Sequence, residues 1–283
     1  MILITGATGN VGAPLVKELL AGGHKVRAFV NDLADAKTKL GDKVELAKGD
    51  FNDKASIEAA LKGVDKVYLL TPAGPDQPKW EATFIDAAKR AGVKHVVYHS
   101  VAGAQYEANT FGRWHRAGEK LLEQSGMAWT HLRPVGFMSN AFMWLATVKS
   151  QGTVYMPCGD GKMAAIDPRD IASVAAKALT SSGHEGKSYD LTGPEALTVG
   201  DQAKAIGDAI GKPVKYVDVP DAAAKDSMIG MGLPAMMADA MIEFTSFVRS
   251  GGAGAVSDAV KTITGKPGRT FAAWCKENAA AFR

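Results

Sequence analysis

The stretch Met1-Ile2-Leu3-Ile4-Thr5-Gly6-Ala7-Thr8-Gly9-Asn10-Val11-Gly12 decides the fold. A short apolar run stops at a turn with glycine at every third position. The turn then opens into a segment in which Val11, Leu15 and Leu19 share one helical face. This pattern predicts strand, tight turn and helix. A side chain at Gly6 or Gly9 would hold a bound group away from the backbone, and one at Gly12 would hold the helix off its strand. Thr8, Asn10 and Val11 fill the positions between the glycines, and Pro14 suits a first helical turn, where its missing N–H has no intrahelical partner. The free N–H groups of that turn and the positive end of the helix dipole favour the pyrophosphate of a dinucleotide. The spacing is Gly-x-x-Gly-x-x-Gly, not the commoner Gly-x-Gly-x-x-Gly, and a glycine-rich turn without a ligand is the alternative.

Beyond the first helix, Gly22-Gly23 supplies a C-cap and Lys25 to Val30 returns as a strand. At the end of such a second strand an acid reads a ribose 2′-hydroxyl, or a basic residue reads a 2′-phosphate. The chain has Asn31-Asp32-Leu33-Ala34-Asp35 here. Asp32 can accept from a ribose hydroxyl, whereas Asp32 and Asp35 repel a 2′-phosphate unless Arg27, Lys37 or Lys39 reaches over. Alternatively, Asn31 and Asp32 cap the following helix. Lys43 to Lys48 is a third strand, ending at Gly49-Asp50-Phe51, with Asp50 and Phe51 expected beside the adenine. Asp65 to Thr71 is a fourth, nearly all apolar, followed by Thr71-Pro72 as a wall on the nicotinamide side. Trp80, Phe84, Ala88 and Ala91 trace a helix, His95 to Ser100 a fifth strand, residues 112 to 125 a helix and Ala128 to Arg133 a sixth strand.

This alternation specifies an α/β fold, a Rossmann-type doubly wound parallel sheet. The remainder departs from it: an apolar helix over Phe137 to Val148, short strands at Thr153 to Met156, Lys187 to Thr192 and Val214 to Val219, and helices near 199–210, 221–229, 235–248 and 270–281. The expected organisation is a dinucleotide-binding domain from 1–133 and 162–193, with a second, smaller mixed α/β substrate lobe from 134–161 and 194–283.

A chain of 283 residues with 46% hydrophobic content has ample material for a core. Its formal charge of +3 is spread thinly, without the basic stripe that nucleic acid requires. Cys158 and Cys275 belong to no Cys-x-x-Cys or Cys/His cluster, which argues against a disulfide framework or a structural zinc, and no metal is expected. The apolar run before Thr5 is too short for a signal segment and no stretch approaches a membrane span, so a cytoplasmic protein with reduced thiols is expected. A homodimer is compatible with this pattern.

The usual acid in hydride-transferring enzymes of this architecture is a tyrosine with a lysine four residues on. No such pair occurs in this chain. His115 and Glu119 stand at the same spacing: His115 could donate a proton with Glu119 orienting it or raising its pKa, or the two make an ordinary helix-surface contact. Ser100 could bond a carbonyl or a nicotinamide carboxamide, or be a plain strand-end serine. An acceptor that takes hydride readily and draws its proton from water needs no built-in donor, and quinones and conjugated cationic dyes are of that kind. Met228, Met231, Met236, Met237 and Met241 with Phe244 and Phe247 are expected in the core, though such a surface also suits a lid over a flat substrate. Phe137, Trp144 and Tyr155 would complete that pocket, with Asn140 as a polar contact.

The residues Ile4-Thr5-Gly6-Ala7-Thr8-Gly9-Asn10-Val11-Gly12, Gly49-Asp50, Ala91-Gly92-Val93-Lys94-His95, His115 with Glu119, and Leu132-Arg133-Pro134 through Asn140 resemble the NmrA-like atypical short-chain dehydrogenase/reductases. So do Gly159-Asp160-Gly161-Lys162, Arg169-Asp170 and Gly183-His184-Glu185-Gly186-Lys187. Within that family the type 2 NAD(P)H:quinone oxidoreductases and triphenylmethane reductases are the most similar. The resemblance implies a cofactor lobe, a small lobe, and NAD(H)- or NADP(H)-dependent reduction of quinones or dyes. Some relatives are instead thought to sense the cofactor's redox state without turnover. The family tends to carry arginine and a further basic residue where this chain has Asn31 and Asp35, a departure that tilts the expectation from NADPH towards NADH.

Overall fold

The structure, a computed structural model, describes residues 1–283. Its elements in chain order begin β1 (Ile2–Ile4), α1 (Gly12–Ala21), β2 (Val26–Val30), α2 (Leu33–Leu40), β3 (Glu45–Lys48) and α3 (Lys54–Ala60). They continue with β4 (Lys66–Leu69), α4 (Gln77–Arg90), β5 (His95–His99), α5 (Thr110–Gln124) and β6 (Ala128–Pro134). Next come α6 (Leu145–Gln151), β7 (Thr153–Met156), β8 (Lys162–Met163), α7 (Pro168–Thr180), β9 (Lys187–Leu191) and β10 (Leu197–Thr198). The last are α8 (Val199–Ile210), β11 (Lys215–Asp218), α9 (Asp221–Gly230), α10 (Ala235–Arg249), α11 (Ala259–Thr264) and α12 (Phe271–Phe282).

The chain divides into two compact units, residues 1–106, 112–134 and 168–190, and residues 107–111, 135–167 and 191–283. The first is built on a seven-stranded sheet in the order β3-β2-β1-β4-β5-β6-β9, with the pairs from β3 through β6 parallel. Chain direction therefore reverses its progress across the sheet between β1 and β4, the switch point at which open α/β sheets bind ligands. The central strands carry apolar residues on both faces because helices cover both. Leu3, Val67, Leu69, Val96 and Tyr98 are buried, α1 packs against α7, and α3 packs against α4.

The second unit has two small sheets, β8 with β10 antiparallel and β7 with β11 parallel, surrounded by helices. α12 packs on α8, and the Phe142 ring lies tilted against Trp274 and stacked on Phe282, with centroids 5.0 and 5.8 Å away. Pro134, expected here, groups with the first unit, whereas residues 107–111, 162–167 and 191–193, expected with the first lobe, group with this one. There β8 pairs with β10, Ala164 N–H donates to Ala253, and Ser257 N–H donates to Thr192 Oγ1.

Two other expectations are corrected. The helix foreseen from Phe137 opens as a 3-10 segment, Met138–Trp144, before α6. The methionine-rich segment is not core: no residue of α9 is buried, and Met231 and Met236 are 78% and 56% exposed. No helix is long and apolar enough to cross a membrane.

Candidate functional site

Gly6 adopts φ +60°, a conformation that side chains disfavour, and its carbonyl receives the Gly9 N–H at 3.0 Å. The turn is pinned to the sheet through Thr5, whose Oγ1 donates to Leu70 O at 2.8 Å and accepts from Leu70 N at 2.7 Å. A Cβ on Gly12 would lie 2.1 Å from Gly6 O, so the third glycine lets α1 close on the strand end. α1 has no side-chain cap and no acid in its first turn. Its N-terminal N–H groups thus lack the partner that Ser, Thr, Asp or Asn supplies elsewhere.

Beside this turn lies a cavity of about 430 Å³ lined entirely from the first unit. Of the residues expected to hold a cofactor, Gly6, Thr8, Gly9, Asn31, Asp32, Phe51, Thr71 and Pro72 line it. Ala7, Phe29, Val30, Asp35 and Leu70 also line it. These additions are neighbours of expected residues, and strand-end adjacency was the available signal. Val11 and Gly12 are used in packing, and Asn10 is exposed; none of the three lines the cavity. Asp50 does not line it either, because its Oδ1 is turned onto Asn52, accepting from N at 2.7 Å and Nδ2 at 3.0 Å. Phe51 instead supplies an aromatic wall, edge-on to Phe29 at 5.6 Å and stacked at 6.1 Å on Trp80, whose Nε1 donates to Asn52.

At the end of β2, Asp32 is the N-cap of α2: its Oδ1 accepts from Ala34 N and Asp35 N, bonds that hold its carboxyl below the ordinary range. None of the three cations that might have served a 2′-phosphate is uncommitted. Arg27 binds Glu45 and the carbonyls of Ala60 and Lys62, Lys37 pairs with Asp42, and Lys39 pairs with Asp35 at 3.0 Å. The two lysine pairs are exposed and cheap to break, whereas Arg27 is fixed by three acceptors.

Behind Thr71 lies a buried polar cluster. Glu81 Oε1 accepts from Thr71 Oγ1 at 2.6 Å and Gln77 Nε2 at 3.0 Å, and Tyr98 Oη lies 2.9 Å from both carboxyl oxygens. No cation accompanies it, and burial pushes the Glu81 carboxyl up to about 7. The folded state therefore favours protonated Glu81, and this group weakens the fold progressively as pH rises from about 4.5 to about 7. Gln77 and Glu81 sit on the same buried stripe of α4 as Phe84, Ile85 and Ala88. A polar pair on an apolar face was the sequence signal for this cluster.

His115 is drawn into this cluster. Its Nδ1 lies 3.0 Å from Tyr98 Oη and 3.0 Å from Gln77 Nε2. Burial takes its pKa down to about 4, outweighing the opposite pull of Glu119, so the ring is neutral at pH 7 with no imidazolium proton to give. Glu119 is fully buried and bound elsewhere. Arg133 Nε and Nη2 reach its two oxygens at 2.7 and 2.9 Å, Arg116 adds a contact at 3.0 Å, and Ser100 Oγ donates at 2.7 Å. Burial acts to raise the Glu119 carboxyl, but the bonds from Arg133 and Ser100 leave it lowered. Ser100 is thus a partner of Glu119, not a hydroxyl presented to a ligand. Glu119, Glu123 and His131 bring ligand-type atoms within 4.8 Å of one another, yet the guanidinium groups of Arg116 and Arg133 already neutralise both carboxylates, so a cation would add uncompensated charge.

The residues expected to contact substrate all fall in the second unit. Phe137 is half-buried, Asn140 exposed, and Trp144 buried. Tyr155 is exposed, with its hydroxyl donating to Gln151 at 2.7 Å. They do not share one environment. Cys158 and Cys275 are buried free thiols, and burial raises Cys158 to about 11, away from thiolate chemistry.

The glycine turn, uncapped helix and aromatic wall together fit a dinucleotide. The NmrA-like family model matches residues 1–264. The chain is 42% identical to the NAD(P)H azoreductase of Xenophilus azovorans, over 100% of this chain and 99% of that protein. Among solved structures, the NADPH-dependent quinone oxidoreductase of Escherichia coli complexed with NADPH superimposes with a TM-score of 0.90 at 29% identity, covering 98% of this chain and 99% of that one. The triphenylmethane reductase of Citrobacter sp. complexed with NADP(H) gives a TM-score of 0.87 at 25% identity, covering 99% of this chain and 100% of that one.

Proposed function

The chain belongs to the NmrA-like family, and on that premise we propose that it is an NAD(P)H-dependent reductase of flat electrophilic acceptors such as quinones and conjugated dyes. The cavity carries this reading, because its glycine-lined wall meets an uncapped helix at the switch point of the sheet. Three relatives matched along nearly their whole length are named for reduction of such acceptors, an azoreductase, a quinone oxidoreductase and a triphenylmethane reductase.

Gly6, Thr8 and Gly9 would hold the pyrophosphate, Asn31 and Asp32 the adenosine ribose, Phe51 the adenine, and Thr71-Pro72 the wall on the nicotinamide side. The bound reduced nicotinamide supplies the hydride. The chain's own contribution is orientation, since bringing reactants into register can provide much of a rate enhancement by itself. The chain has no tyrosine–lysine pair and its His115 is neutral, so the proton that completes reduction comes from water and the acceptor must tolerate that. Phe137, Asn140, Trp144 and Tyr155 remain the candidates for substrate contact, Trp144 by shaping its surroundings from within the core.

Following NADH and NADPH oxidation against a panel of quinones, azo dyes and triphenylmethane dyes tests this reading. Turnover with at least one class is expected. Measurable cofactor binding without turnover on any acceptor would overturn it in favour of a nucleotide-sensing protein.

For cofactor choice, Asp32 and Asp35 at the cavity, with Arg27 fixed elsewhere, favour NADH. Asn31→Arg adds a guanidinium at the ribose end, and a charge-assisted bond to a 2′-phosphate in a solvated position predicts a shift of about tenfold in the NADH/NADPH affinity ratio towards NADPH. Binding titrations of both nucleotides check this; an unchanged ratio would mean that the ribose lies elsewhere.

A further inference from the structure

The cluster behind Thr71 contains more donors than an ordinary core would bury around one carboxyl group. Glu81 lies wholly inside the first unit, and four elements converge on it. The end of β4 offers Thr71, α4 itself offers Gln77 and β5 offers Tyr98, while His115 of α5 stands behind them, 3.0 Å from Tyr98 Oη and from Gln77 Nε2. The fold makes room for it: a Cβ on Gly118 of α5 would lie 2.3 Å from Glu81 Oε2 and 2.6 Å from Tyr98 Oη. A glycine within a helix costs about 1 kcal/mol relative to alanine. Here glycine leaves the space that the Glu81–Tyr98 contact occupies.

Counting protons shows what this arrangement can do. When Glu81 is ionised, Thr71, Gln77 and Tyr98 can all donate to it, and Thr71 turns its hydroxyl proton away from the cavity that it lines. When Glu81 carries a proton, it must itself donate, and one of its former donors must accept. The amide nitrogen of Gln77 cannot accept. The shortest contact, 2.6 Å to Thr71 Oγ1, is the natural one to reverse. The Thr71 proton is then released towards the cavity.

We propose that Glu81 is a positioning residue for the dinucleotide. By holding or releasing one proton it reverses its hydrogen bond to Thr71, and so sets whether that wall of the cavity offers the ligand an acceptor or a donor. The inference rests on the reading of the cavity as a nucleotide site and adds to it a control by pH. The other groups facing Glu81 do not titrate in the same range: burial lowers His115 to about 4 and raises Tyr98 well above 10, and no lysine or arginine touches the carboxyl.

The test is the dissociation constant of NADH between pH 6 and pH 8, measured by the fluorescence of the bound nucleotide. NADH is chosen because the 2′-phosphate of NADPH itself titrates near pH 6. In the wild-type protein the constant should change by about threefold to tenfold through an inflection near pH 7, the range set by one hydrogen bond gained or lost. Glu81→Gln can donate an amide proton to Thr71 as the neutral acid does, so it should hold the wild-type pH 6 value across the whole range. Thr71→Val, which keeps the shape and removes the hydroxyl, should also be flat and serves if Glu81→Gln does not fold. A wild-type constant that stays flat while NADH binds, or an inflection that survives in either variant, would overturn the proposal. Where NADPH alone binds, its constant is read against the same two variants; absence of binding of both NADH and NADPH at every pH would overturn the nucleotide-site reading, and the proposal with it.

Discussion

Gly12→Ala is expected to lower dinucleotide affinity by about tenfold to hundredfold and to destabilise the first unit by about 1–3 kcal/mol. The added methyl would meet Gly6 O at 2.1 Å, Ala7 Cα at 2.7 Å and Gly6 C at 2.8 Å. All three are backbone atoms, so no rotamer change relieves the clash. Either α1 moves off the strand end or the Gly6–Gly9 turn opens, and both move the N–H groups of the helix relative to the cavity. Gly92→Ala is the informative comparison. Gly92 has φ +77° with nothing within 4 Å of an added Cβ, so the substitution should cost about 1 kcal/mol of backbone strain and leave binding unchanged. Calorimetric titration of both variants with NADH and NADPH, beside denaturant unfolding, separates the two effects. Wild-type affinity in Gly12→Ala would show that α1 and the turn do not hold the ligand.

That contrast also marks what a sequence can disclose. The turn was legible because its determinants are local: three glycines, one strand and one helix lie within twelve residues, and their spacing alone forces the backbone together. β5 and β6 were legible for a similar reason, as apolar runs bounded by Gly92 and Gly126, both of which adopt positive φ. Partner choice was not legible. Arg27 could have faced the cofactor, but the parallel register of β2 on β3 sets it opposite Glu45. The His115–Glu119 spacing puts both residues near one face of α5, yet Tyr98 claims the ring and Arg133 claims the carboxylate. Each depends on residues more than ten positions away whose approach is decided by the sheet. The exposure of Met231 and Met236 belongs to the same class, since apolar periodicity tells that a helix has an apolar face but not whether anything covers it. Elements of two residues, such as β8 and β10, carry too little pattern to be read at all.

The reassignment of Glu119 predicts a second large effect. Arg133→Ala is expected to destabilise the protein by about 3 kcal/mol at pH 7, the lower end of the roughly 3–5 kcal/mol that follows the breaking of a buried ion pair, because Arg116 and Ser100 remain. Measured against an ordinary domain stability of about 5–15 kcal/mol, this is a substantial fraction. The sign of its pH dependence distinguishes the cause. In the wild-type protein Glu119 sits below its ordinary pKa, so the stability it contributes is present above about pH 4.5 and is lost as pH falls through the lowered value. Without Arg133, burial dominates and the folded-state pKa rises above 4.5. The variant is then most deficient at pH 7, and the deficit shrinks as pH falls towards 4 and the stranded carboxylate takes up a proton. Arg133→Lys, which keeps one charge but cannot reach both oxygens in parallel, should fall between the two. Urea unfolding of the three proteins at pH 7 and pH 4 measures the difference. A deficit independent of pH would assign the loss to the packing of the arginine stem, and Glu119 would then be stabilised by Arg116 and Ser100 alone.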